Sequence, residues 1–132
     1  MKRNYHCPKC YGILNPNVKV ILKTECNGRA ALLLFSPQPG NYQVIAPDSF
    51  PLKKDDVVRF SCPLCSRDLT SKRDKSMAEI TFSTPGGQSG RVVFSRSYGH
   101  HETYFVTTEE VRSFGRHSDR EGVNYWGAGP KE

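Results

Sequence analysis

Four of the five cysteines in the chain occur as two pairs with the same short motif, Cys7-Pro8-Lys9-Cys10 and Cys62-Pro63-Leu64-Cys65. Two intervening residues allow a tight turn that aims both thiolates at one tetrahedral ion. A proline after the first cysteine fixes its own φ angle and carries no amide hydrogen, so the other amides of the turn are free to point at the sulfur atoms. The pattern predicts one structural Zn²⁺ bound by Cys7, Cys10, Cys62 and Cys65.

Other chemistries of paired cysteines fit this sequence less well. A thioredoxin-type redox pair needs a helix after the motif, and no helical pattern follows either pair. The basic start of the chain does not lead into an apolar signal-peptide core, so we expect a cytoplasmic protein with reduced thiols rather than a disulfide framework. Two separate metal sites, or one site shared across a dimer, remain open. Four protein ligands leave no open coordination position, so we expect no metal catalysis and no enzyme activity.

The fifth cysteine and three histidines could also take part in chemistry, but each is interpreted as a structural residue. Cys26 lies before a turn and is interpreted as a small, semi-buried thiol, with a reactive or ligand role as the alternative. His6 adjoins Cys7 and cannot easily share its ion. His100 and His101 suggest a second metal or catalytic cluster, but adjacent residues of a strand point to opposite faces, so we predict a solvated hairpin turn. No catalytic residue is assigned.

Apolar runs predict six short strands, at residues 18–24, 30–35, 42–46, 77–83, 91–97 and 103–107. Asn27-Gly28 predicts a two-residue hairpin between the first two strands. Thr107 and Glu110 match a capping box, which predicts a short helix near residues 108–114 that ends at Gly115. The predicted fold is mainly β: two antiparallel three-stranded units, pinned by zinc, with a short C-terminal helix.

The chain is short enough for one domain, which we place at residues 1–115, with a flexible or docking tail at 116–132. Hydrophobic residues make up only 36% of the chain, so we expect the metal to contribute to stability. The two cysteines of the first pair recur 55 residues later as the second pair, and some later residues recur at an offset of 62 residues. This spacing suggests an internal repeat of 5–46 in 60–108, although short strands can resemble one another by chance.

The paired Cys-Pro-x-Cys motifs resemble those of the four-cysteine zinc-ribbon class. The resemblance implies that two β-hairpin knuckles sandwich one structural zinc. It covers the two motifs, about a tenth of the chain, and the 51 residues between Cys10 and Cys62 form a longer insertion than the class usually has. Zinc ribbons serve in transcription, translation, chaperone and enzyme contexts, so the resemblance does not specify a role.

Charge and aromatic residues give two hypotheses about partners. The net charge of +6 is concentrated in the first half of the chain, and Lys72, Arg73 and Lys75 form a basic loop that could contact nucleic acid. Tyr125 and Trp126 are adjacent aromatic residues that could anchor a partner protein. We expect a non-enzymatic interaction or regulatory module for an unknown protein, with RNA, ribosome or transcription-associated binding as the alternative. No membrane contact and no small-molecule substrate are expected.

Overall fold

The computed structural model describes residues 3–38, 41–108 and 110–114, and these contain nine β-strands and no helix. The strands are β1 Asn4–His6, β2 Val20–Cys26, β3 Arg29–Phe35, β4 Val44–Ile45, β5 Arg59–Ser61, β6 Met77–Ser83, β7 Ser89–Ser95, β8 Thr103–Val106 and β9 Val111–Phe114. They form two antiparallel sheets with the orders β4-β3-β2-β5 and β1-β6-β7-β8-β9. The prediction of a mainly β protein is confirmed.

The hairpin between β2 and β3 has the predicted two-residue turn. Cys26 is paired with Arg29, and both Asn27 and Gly28 have positive φ angles, of 53° and 80°. Positive φ at both central residues matches the twist of the flanking strands, and Asn-Gly adopts that conformation readily. β3 is central, as predicted, because it pairs with β2 on one side and β4 on the other.

Each sheet includes one short strand from the other half of the chain. β1 leads into the first cysteine motif and pairs with β6, with Tyr5 opposite Phe82. β5 leads into the second motif and pairs with β2, with Phe60 opposite Thr24. The predicted three-stranded units are therefore wrong: the sheets have four and five strands. The strands before the knuckles need hydrogen-bonding neighbours, and each finds them in the opposite half.

The predicted helix near residues 108–114 is also wrong, because β9 occupies Val111–Phe114 and pairs with β8. The Thr107 hydroxyl does accept a hydrogen bond from the Glu110 amide at 3.2 Å, as a capping box requires. However, the Thr107 amide donates to the Glu110 carbonyl at 2.9 Å, which closes a turn and returns the chain along β8. The same cap residues therefore close a hairpin here.

The two sheets pack face to face through alternating residues. Val20, Leu22, Thr24 and Cys26 are the buried positions of β2, and the corresponding face of β6 is buried in the same core. The rings of Phe60 and Phe94, one from each sheet, lie 5.4 Å apart between centroids and connect the layers.

Several expectations fall beyond the parts of the chain that the structure describes. The predicted tail at 116–132 lies outside them, as do Tyr125 and Trp126. Within the described ranges there is no helix of the length and hydrophobicity needed to span a bilayer.

Candidate metal centre

The first knuckle is a turn that follows β1 and surrounds the sulfur of Cys7. The Tyr11 amide donates to the Cys7 carbonyl at 2.9 Å, and the Cys7 amide donates to the Gly12 carbonyl at 3.0 Å. The amides of Lys9 and Cys10 approach Cys7 Sγ at 3.3 Å and 3.5 Å. These are the turn amides that the proline leaves free, and they are placed to donate to a metal-bound sulfur at Cys7.

The second knuckle follows β5 and repeats these contacts. The Ser66 amide donates to the Cys62 carbonyl at 2.8 Å, and the Cys62 amide donates to the Arg67 carbonyl at 3.0 Å. The amides of Leu64 and Cys65 approach Cys62 Sγ at 3.3 Å and 3.4 Å. Every one of these bonds has a counterpart 55 positions earlier in the chain.

The four motif cysteines form one cluster, with all their sulfur atoms within 4.8 Å of one another. Cys7 Sγ lies 3.7 Å from Cys65 Sγ, and Cys10 Sγ lies 3.8 Å from Cys62 Sγ. A tetrahedron with metal–sulfur bonds of about 2.3 Å has edges of about 3.8 Å. The cluster can therefore hold one tetrahedral metal ion, with two sulfur ligands from each knuckle.

The alternative of a disulfide framework is not what the structure shows. All five cysteines are free. The closest of these sulfur pairs is far beyond the roughly 2.05 Å of a disulfide bond. Among the residues described, neither cysteine motif is followed by the helix that a thioredoxin-type redox pair requires.

The cysteine thiols of the cluster differ in acidity. Burial raises the pKa of Cys62 to about 12, despite the opposing effect of the Cys65 and Leu64 amides. The backbone N–H of Arg67 lowers the pKa of Cys65 to about 7. A metal ion that deprotonates all four thiols must therefore displace a firmly held proton at Cys62, and its affinity falls as the pH falls.

Cys26 lies apart from this cluster, at the end of β2. It is buried, and burial together with the charge of Asp56 raises the pKa of its thiol. Both observations agree with a small core residue.

We expect Cys26→Ala to leave the metal content unchanged and to lower the free energy of unfolding by no more than about 1–2 kcal/mol. The substitution removes one sulfur from a packed position and no ligand. Metal analysis per chain and urea unfolding measure the two quantities. Loss of metal from this variant would show that the ligand set is not the four motif cysteines.

The histidines lie in other surroundings. His6 Nε2 lies 3.1 Å from Ser83 Oγ, on the neighbouring strand. His100 Nε2 lies 2.9 Å from Glu102 Oε1, and the ring of His101 stacks on Tyr42 with centroids 4.3 Å apart. The predicted hairpin turn at His100 and His101 is confirmed, because both residues lie between the paired strands β7 and β8. The predicted solvation is wrong, because both residues are half-buried and their rings contact other residues.

The basic loop is an ordered turn between the second knuckle and β6. Ser71 Oγ accepts hydrogen bonds from the amides of Arg73 and Asp74, at 3.2 Å and 3.4 Å. Lys72, Arg73 and Lys75 are all exposed on it. Their proposed contact with nucleic acid stays a prediction.

Sequence reasoning missed an exposed apolar surface on the knuckles, formed by Tyr11, Ile13 and Leu64. These side chains are 75%, 49% and 64% exposed. Tyr11 and Ile13 flank Gly12, where an added Cβ would collide with a methyl group of Leu64, so the two knuckles meet here. We call this set the knuckle surface. A bulky residue directly after the second cysteine of a knuckle was the signal that could have revealed it.

Comparison of the chain with protein-family models, with curated proteins and with solved structures gives no match. Conclusions about its function therefore rest on the geometry described above.

Proposed function

We propose that this protein is a non-enzymatic zinc protein of zinc-ribbon type, and that its knuckle surface binds a partner protein. The observation that carries the proposal is the conformation and exposure of Tyr11. The metal fixes this surface, and the surface makes the contact.

Zinc is the proposed ion because four thiolates in a tetrahedral arrangement are its usual structural ligand set, although iron can occupy the same geometry. With all four positions supplied by the protein, no position is left for substrate or activated water. A closed site of this kind supports a structural role and gives no basis for metal catalysis.

The backbone conformation of Tyr11 is unfavourable for its residue type. Its φ angle is +62°, in the left-handed region where a bulky side chain is uncommon, and three quarters of its surface is exposed. The corresponding position of the second knuckle is Ser66, with a φ of +65°, so a small residue can make the same turn. Because an exposed aromatic ring contributes little to the fold, its use at this position points to binding.

The surroundings of Tyr11 favour a protein partner with an acidic rim. Leu64 and Ile13 add apolar area beside the ring, and apolar side chains form the centre of protein interfaces. Lys9 and Arg67, one on each knuckle, are exposed residues close in sequence to Tyr11 and Leu64, and the chain as a whole carries a charge of +6. Opposite charges around an apolar centre increase the rate and specificity of association.

The experiment compares proteins captured from the native cell by the parent chain and by the double variant Tyr11→Ser, Leu64→Ser, using quantitative mass spectrometry. The control is Leu32→Ser, Val57→Ser, which removes two apolar residues of similar exposure elsewhere. We expect an acidic partner that the control retains and that the knuckle variant loses at least about tenfold. All three proteins must carry one metal ion per chain. Equal capture by both variants would refute the proposed surface.

Nucleic-acid binding is the second candidate, because three exposed cations lie on one fixed turn. If RNA or DNA is the partner, replacing Lys72, Arg73 and Lys75 with alanine should flatten the salt dependence of binding by about one unit of slope per lost phosphate contact. Binding that is absent from the parent at low salt would exclude this candidate and leave the protein partner.

A further inference from the structure

A cavity of about 270 Å³ lies between the two sheets, and neither the four motif cysteines nor the knuckle surface lines it. Leu22 and Leu33 line it from the sheet that contains β2 and β3. Ile80, Val92 and Phe105 line it from the other sheet. All five belong to the buried core and form the inner wall of the cavity, and half-buried residues such as Tyr42, Phe94 and His101 line the part that opens to solvent.

A gap of this size is unusual inside a protein. Interiors are packed to the density of organic crystals, and voids larger than a water molecule are few. An apolar cavity of about 150 Å³ in another protein stays dry and binds benzene. The space here is nearly twice as large, and its walls offer water few hydrogen-bonding partners, so it suits an apolar molecule larger than a single ring.

The entrance is built from ordered polar residues. The Tyr42 hydroxyl lies 2.8 Å from Thr103 Oγ1 and donates to the Phe114 carbonyl at 3.0 Å, so the segment just before β4 is connected to the opposite sheet. The ring of Tyr42 lies parallel to that of His101, within 5°. These contacts fix the positions of Tyr42 and His101, which both line the cavity.

Charged groups at the entrance are already engaged. Glu102 is only 3% exposed and contacts His100 Nε2 at 2.9 Å, and its other oxygen accepts from the Tyr104 hydroxyl at 2.7 Å. Arg96 Nε donates to the Val58 carbonyl at 2.8 Å. The five core side chains of the cavity carry no hydrogen-bonding group, so a charged group of a ligand that reached them would lose its water without gaining a partner, and an unpaired buried charge is costly.

We propose that this cavity binds a neutral, apolar small molecule of about the size of a two-ring aromatic compound, which enters beside Tyr42 and His101. The molecule is bound as a ligand, and no reaction is proposed for it. The site is independent of the knuckle surface and of the proposed partner, because none of its residues belongs to that surface.

The test uses two probes of similar size that differ in charge, 3-methylindole and indole-3-acetate, added to the full-length metal-loaded protein. Amide and methyl NMR spectra should shift in a saturable way with 3-methylindole, with a dissociation constant below about 1 mM. The largest shifts should fall at Leu22, Leu33, Ile80 and Val92. Indole-3-acetate should bind at least about tenfold more weakly, because its carboxylate would have to lose water without gaining a partner.

Val92→Phe places a larger side chain in the cavity and should abolish the shifts. Leu32→Phe makes a comparable change on an exposed outer position and should leave binding unaffected. If Val92→Phe fails to fold, contacts between 3-methylindole protons and the methyl groups of Leu33 and Ile80, seen as NOEs in the parent, decide instead. Absence of saturable binding to the parent, shifts confined to other surfaces, or tighter binding of indole-3-acetate would overturn the proposal.

Discussion

Replacement of Cys62 by serine is expected to release the metal ion and to unfold the protein. Cys62 is fully buried, and its sulfur accepts two amide hydrogen bonds while lying 3.8 Å from Cys10 Sγ. The free energy of a structural zinc site, about 10–16 kcal/mol in small zinc domains, is as large as the whole stability of a typical domain. We therefore expect loss of most soluble protein. Metal content per chain and thermal unfolding followed by circular dichroism measure the effect.

Cys26→Ser provides the matched control, since it makes the same change at a buried cysteine outside the cluster. This control should keep one metal ion per chain. Treatment of the parent with a chelator should reproduce the Cys62→Ser result, and removal should become easier as the pH is lowered, because protons compete for the thiols. A metal-free Cys62→Ser protein with the melting temperature of the parent would contradict the proposed role of the site.

The cluster of four cysteines could be predicted from sequence because it depends on residue types and on spacings within each short motif. Two cysteines separated by two residues, with proline after the first, largely determine the turn and the direction of its amides. The hairpin at Asn27 and Gly28 was predictable for the same reason, since both φ angles follow from residue types in adjacent positions. In each case the interactions that decide the structure lie within a few residues of one another.

The pairing of the strands was not predictable because it depends on distant residues. Tyr5 of β1 pairs with Phe82 of β6, and Phe60 of β5 pairs with Thr24 of β2. Both β1 and β5 are only three residues long. Such short segments carry no periodicity that would specify a partner. The wrongly predicted helix at residues 107–114 has a related cause. A capping box specifies only one turn of the chain, and the residues after that turn form a strand because they pair with β8.

Side chains whose roles depend on tertiary surroundings were also missed. Glu102 directly follows the two histidines for which a solvated hairpin turn is predicted, yet it is a buried acidic residue. Its hydrogen-bond partners, His100 and Tyr104, are each two residues away, but these residue types do not indicate that the carboxyl group is buried, because burial depends on how the two sheets pack. Its position gives the second large expected effect.

Substitution of Glu102 by alanine is expected to lower the free energy of unfolding by about 3 kcal/mol. The change removes the acceptor of the Tyr104 hydroxyl bond, and the Tyr104 side chain is fully buried. It also removes the partner of His100 Nε2 at 2.9 Å and leaves a space beside the cavity. Urea unfolding with the metal bound measures the loss.

Two further substitutions serve as comparisons. The first separates the hydrogen bonds of Glu102 from its negative charge, and the second measures the general effect of losing an acidic residue. Glu102→Gln keeps the size and one acceptor oxygen, so it should lose less stability than Glu102→Ala. Glu79→Ala removes an acidic residue of β6 whose contact with Arg91, at 3.4 Å, is partly exposed. Because exposed ion pairs contribute little, we expect a loss below about 1 kcal/mol. If Glu102→Ala lowers the free energy of unfolding no more than Glu79→Ala does, the hydrogen bonds of the buried Glu102 do not stabilise the fold as predicted.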